Sequence, residues 1–148
     1  MIDSQIMIIS QLLLAAILGG AIGLEREIKK REAGLRTYSL VSLGAAFFSI
    51  ISLEAFQDWT SRTGQVVDPT RIIAQVVLGI GFIGAGLIIF RQQHVEGVTT
   101  AAGLWVAAAI GVAVGVKFIV PAVFVTFLTI SILSILRIVE ERFFPGEK

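Results

Sequence analysis

Apolar runs alternate with polar breaks along this chain, and the lengths of the runs fix the first reading. The run over residues 5–24 closes on Glu25-Arg26-Glu27-Ile28-Lys29-Lys30-Arg31-Glu32. Residues 37–56 form a second run in which Ser39, Ser42, Ala45 or Ala46, Ser49 and Ser52 recur every three or four positions. That spacing puts small and polar side chains on one helix face, where they suit close packing against a neighbour. A polar loop over 57–71, containing Asp58, Trp59, Arg62, Gly64, Asp68 and Pro69, precedes the third run at 72–90. The third run has 19 residues and Gln75 as its only strongly polar side chain. At 1.5 Å per residue it reaches roughly 28 Å, close to the hydrocarbon thickness of a bilayer.

After a short loop at 91–97 the chain is apolar over 99–116 and again over 118–135. Read as one helix, 99–136 would be roughly 57 Å long, nearly twice the bilayer core. A turn at Gly115-Val116-Lys117-Phe118 is therefore expected, with Lys117 reaching the interface and Pro121 in the first turn of the last span. The first run lacks a basic leader and carries Asp3, so it reads as a retained span and not as a cleaved signal peptide. The pattern predicts an all-α, polytopic transmembrane bundle of five spans over residues 1–136, followed by a short cytoplasmic tail at 137–148.

Charge orients the bundle. The breaks after spans one and three, with the tail, hold nine Lys and Arg residues, against Arg62, Arg71 and Lys117 on the other side. Basic loops stay cytoplasmic, which places the C-terminus inside and the N-terminus outside. Composition agrees with the membrane reading. Hydrophobic residues make up 55% of the chain and charged ones 16%, with a mean hydropathy of +0.88. A soluble domain carries about 25% charged residues. A net charge of +1 argues against a nucleic-acid partner. The absence of cysteine excludes disulfides and thiol chemistry, and a single histidine, His94, makes no His-rich metal site.

Small residues mark the helix-packing or interface candidates. Gly103, Ala107, Gly111 and Gly115 recur every four positions in the fourth span, as do Ala15, Gly19 and Gly23 in the first. Either stripe suits packing within the bundle or contact with a homodimer mate or another membrane protein. Span three holds Gly79, Gly81, Gly84 and Gly86. These superficially resemble a dinucleotide loop, but no strand, helix start or following acid frames them. They serve either close packing or a broken helix lining a cavity.

Ionisable candidates are few. Glu25 and Glu27 end the first span, where the helix dipole disfavours negative charge, so they call for cationic partners such as Arg26 or Arg36. With Thr37 and with Thr99, Thr100 and Trp105 at the start of span four, these residues form a candidate polar cluster. Thr99 or Thr100 would cap that helix, and the depth of Trp105 reads as core. Glu54, roughly 25 Å along its helix from Thr37, belongs near the outer interface. Mg²⁺ favours carboxylate and carbonyl oxygens, which makes Glu25 and Glu54 weak metal candidates. No cofactor is implied, and no nucleophile with its partners supports catalysis.

Four motifs, taken together and in order, resemble the MgtC/SapB family of bacterial membrane proteins. They are Gly23-Leu24-Glu25-Arg26-Glu27, Gly34-Leu35-Arg36-Thr37, Gly79 to Gly86, and Val98-Thr99-Thr100-Ala101-Ala102-Gly103-Leu104-Trp105. Tyr38 stands where members often have histidine, and Val98 where many have leucine. The best-known members carry a soluble domain after the last helix, so the likeness is to a short form. It implies a cytoplasmic-membrane protein linked to growth in low magnesium and, in pathogens, to survival inside host cells. It also implies regulation of ion-transporting ATPases more than transport proper. A non-enzymatic regulator of another membrane protein is therefore the expected function, with a small carrier or channel for Mg²⁺ or another ion as the alternative.

Overall fold

The computed structural model describes residues 2–65, 68–91 and 94–143. Five long helical segments follow one another: α1 (Ile2–Ile28), α2 (Leu35–Thr63), α3 (Thr70–Leu87), α4 (Val98–Gly115) and α5 (Ile119–Ser131). The last continues through a π-helical turn (Ile132–Leu136) into α6 (Arg137–Phe143). Among the described residues, five spans are long and apolar enough to cross a membrane, the fifth running over Ile119–Glu140. The last helix therefore extends past residue 135, where the apolar run ends.

The core lies between α1, α2 and α4. On α1 the buried positions Gln11, Ala15, Leu18, Gly19, Ile22, Gly23 and Arg26 follow helical spacing. The small-residue face of α2 meets them, and Ser42, Ser49 and Ser52 are fully buried there. Nine residues of α4 are buried, including Gly103, Ala107, Gly111 and Gly115. α3 buries only Ile80 and Gly84, with Val76 and Leu87 packed partly buried against the core.

Two helix ends close in the same way. Lys30 and Lys117 adopt left-handed backbone angles, φ 54° and 67°. At each end the next amide reaches back five residues, Arg31 N to Arg26 O at 3.0 Å and Phe118 N to Ala113 O at 2.7 Å. This is the Schellman closure, which glycine usually occupies. At Lys117 it produces the expected break and folds α5 back beside α4.

The helical expectation needs correction in two further places: α2 runs on to Thr63, through the first half of the expected 57–71 loop, and a hairpin forms between α3 and α4. Ile88 turns extended, and β1 (Ile89–Arg91) pairs antiparallel with β2 (His94–Glu96), Phe90 opposite Val95. β-branched and aromatic residues favour this pairing over further helix. Gly97 then turns the chain into α4 at φ 84°, and a Cβ there would run into the Leu87 carbonyl.

Candidate functional site

A cavity of about 550 Å³ opens at the end of the bundle where α1 stops and α4 starts. Its charged lining comprises Arg26, Arg31, Glu32, Glu96, Arg137 and Glu140. Val95 and Val98, with Ile132, Leu133 and Leu136 of the π turn, supply the apolar part. A π turn inserts one residue into a helix and is frequent beside functional sites.

Arg26 is the deepest of the charges, 3% exposed, and its Nε pairs with the neighbouring Glu25 carboxylate. Burying a charge is costly unless a partner compensates, and Glu25 supplies that partner. Its second oxygen, Oε1, is buried and accepts no hydrogen bond. Glu27 does not join this pair. Its Oε2 accepts from the Leu35 amide at 3.1 Å and so caps the start of α2.

The start of α4 is tied to the α1–α2 turn. Thr100 Oγ1 donates to Glu32 Oε2 at 2.8 Å, and the Thr100 carbonyl accepts from the Tyr38 hydroxyl at 3.1 Å. Tyr38 is fully buried, and Gly103 leaves the room its ring occupies. The Glu32 carboxyl is held below the usual carboxylate range, first by its own backbone amide and then by the Thr100 hydroxyl. Capping by Thr99 or Thr100 is not what the structure shows. Gly97 is the cap residue, no side-chain cap bond forms among the described residues, and the Thr100 hydroxyl serves Glu32.

The remaining cluster members scatter. Thr99 lines the cavity, Arg36 is exposed and Thr37 half-buried. Trp105 is 52% exposed, which corrects its reading as core. It lies about 200° around the helix from Gly103, so it faces away from the packed side. Glu54 lines a second cavity, about 580 Å³, at the opposite end of the bundle with Gln11, Gln57 and Lys117. Glu25 and Glu54 therefore share no site. Among the described residues no group of three or more His, Asp or Glu could hold a metal ion.

The glycines divide sharply. A Cβ on Gly19 would meet Ser42 Cβ at 2.5 Å, and one on Gly23 would meet the Gly34 carbonyl at 2.8 Å. On Gly111 it would collide with the Ser42 carbonyl, and on Gly115 it would meet Ser49 Cβ at 2.7 Å. Gly84 has Ala101 Cβ at an ordinary 3.5 Å. Gly79, Gly81 and Gly86 have nothing within 4 Å. α3 is nonetheless one continuous helix.

Sequence reasoning passed over Glu32, Arg31, Arg137 and Tyr38 as site residues. Tyr38 had a signal, its departure from the pattern around Arg36-Thr37. Glu32 bonds a residue 68 positions away, which no local pattern announces.

The chain belongs to the MgtC family, whose sequence profile matches residues 12–142. It is 46% identical over 127 residues to YhiD of Escherichia coli K12, a protein provisionally named a magnesium transporter, covering 86% of this chain and 59% of that one. Protein MgtC of Brucella abortus strain 2308 is 44% identical over 123 residues, covering 83% and 48%. Protein MgtC of Salmonella typhimurium is 41% identical over 134 residues, covering 90% and 54%. The chain thus spans about half the length of the curated relatives it matches. No solved structure matches it.

Proposed function

We propose that this MgtC-family chain is a non-enzymatic protein of the bacterial cytoplasmic membrane that regulates an ion-transporting or ATPase partner in adaptation to low magnesium. In this reading the arginine-lined end faces the cytoplasm, following the basic-loop bias. The open face of α3 carries the proposal. Gly79 and Gly86 lie two turns apart on one side of the helix, and Gly79 lines an apolar groove of about 500 Å³ between α2 and α3. A partner helix can approach there without disturbing the core, whereas the stripes of α1 and α4 are already occupied by α2. The interface is therefore assigned to α3.

Gly79→Leu and Gly86→Leu test this in native membranes. Photo-crosslinking from α3 should capture a membrane protein, and either substitution should remove the crosslink while the bundle stays folded. An unchanged crosslink and unchanged growth in low magnesium would reject the α3 interface.

Two observations favour the alternative, a Mg²⁺ carrier. Cavities open at both ends of the bundle, and a relative carries a transporter name. Between the cavities, however, α1, α2 and α4 pack at near-backbone contact around Ser42 and Gly111. A carrier would have to part these contacts in each cycle. Purified protein in liposomes under a Mg²⁺ gradient separates the two readings. Flux no greater than in empty vesicles rejects the carrier, and flux lowered by Glu25→Gln establishes it.

A further inference from the structure

We propose that the arginine-lined cavity holds the headgroup of a zwitterionic glycerophospholipid, of the phosphoethanolamine type, with the acyl chains leaving along the π turn. Charge is the first argument. Arg26, Arg31 and Arg137 face the cavity, and Arg26 is buried and held in place by Glu25. Gly97, Val98, Thr99 and Thr100 also line it, so the start of an 18-residue helix borders the same space without a side-chain cap. Guanidinium groups and free helix amides are the donors that recognise phosphate. With Arg26 already paired to Glu25, Arg31 and Arg137 stand in the lining alongside Glu32, Glu96 and Glu140. Thr100 already engages Glu32. Glu96 and Glu140 remain for a cationic amine. A phosphate that carries its own ammonium group matches this lining better than a multiply charged anion.

The second argument is amphipathicity. Val95, Val98, Ile132 and Leu136 line the cavity and are each about half exposed. The apolar part of the lining is therefore open to a ligand that approaches from outside the bundle. A soluble phosphate makes no use of such a wall, while the acyl chain of a lipid can lie along it. A space of about 550 Å³ is of the size that small-ligand sites use.

Native mass spectrometry of the full chain in detergent tests this with defined additions. The probes are phosphatidylethanolamine, phosphatidylglycerol, diacylglycerol and free O-phosphoethanolamine. Phosphatidylethanolamine should be retained above the other three. Because Arg26 is buried, the variant to use is Arg31→Gln with Arg137→Gln, with circular dichroism to show that it folds. Occupancy should fall about tenfold or more, as expected for losing charge-assisted hydrogen bonds. Equal retention by the variant overturns the site, and so does diacylglycerol held as well as the phospholipid. O-phosphoethanolamine bound as tightly as the lipid overturns the lipid assignment. Stronger retention of phosphatidylglycerol overturns the zwitterionic one.

Discussion

Helices α3 and α4 are both 18 residues long, both apolar, and both rich in glycine, yet they do opposite things with it. In α4, Gly103, Gly111 and Gly115 sit where a single methyl group would strike Tyr38, the Ser42 carbonyl or Ser49. In α3, Gly79, Gly81 and Gly86 face open space, and Phe82 beside them is 85% exposed. A small residue thus records two different constraints. In α4 it lets backbones touch, and in α3 it leaves a surface without bulk. The difference lies in the neighbour. α4 is flanked by α1 and α2, while α3 leans on α4 along one edge and leaves a groove toward α2.

The comparison breaks most easily at Gly111. Gly111→Ala should destabilise the bundle by about 1–3 kcal/mol, the usual cost of overpacking, read as a lower melting temperature in detergent. An unchanged melting temperature would mean that α2 and α4 are not in backbone contact. The opposite sign is expected in α3. Gly81→Ala fills nothing and removes a weak helix former, so stability should stay level or rise by up to about 1 kcal/mol. A clear loss would show that α3 is packed after all.

The smallest effect sharpens the α4 side alone. Thr100→Val removes one of the two hydrogen bonds that hold the Glu32 carboxyl low. A depressed carboxylate contributes stability that is present above the unfolded value, about 4.3, and lost as pH falls through the folded one. The variant's Glu32 should titrate nearer the ordinary value in a carbon-detected NMR titration. The shift should be partial, because the backbone amide, the larger cause, remains. An unmoved titration would remove Thr100 from the account.

Much of the fold was legible in the chain. Run lengths against bilayer thickness gave five spans, and the four-residue steps in α1 and α4, with the three- and four-residue steps in α2, marked faces that the structure finds buried. The break at Gly115 to Phe118 followed from length alone. The fate of each glycine was not legible, because Gly79 and Gly111 look alike until the neighbouring helix is known. The site was half legible. Glu25, Arg26 and Thr100 stood out by position, but the bond from Thr100 to Glu32 joins residues that sequence separates widely. The hairpin escaped notice because Ile89 and Phe90 continue an apolar run as readily as they pair in strands, and Val95 stands alone in a polar loop.

The π turn in the last helix carries a consequence of its own. Five residues there complete a turn that an α-helix closes with four, so everything beyond Leu136 is set about 100° around the axis from where unbroken winding would leave it. That offset brings Arg137 and Glu140 to the cavity. In genetic terms the helix contains a one-residue insertion. Loss of a single codon between positions 132 and 136 would restore regular winding and leave both charges facing the cavity, whereas forcing regular winding without shortening the chain would turn them aside.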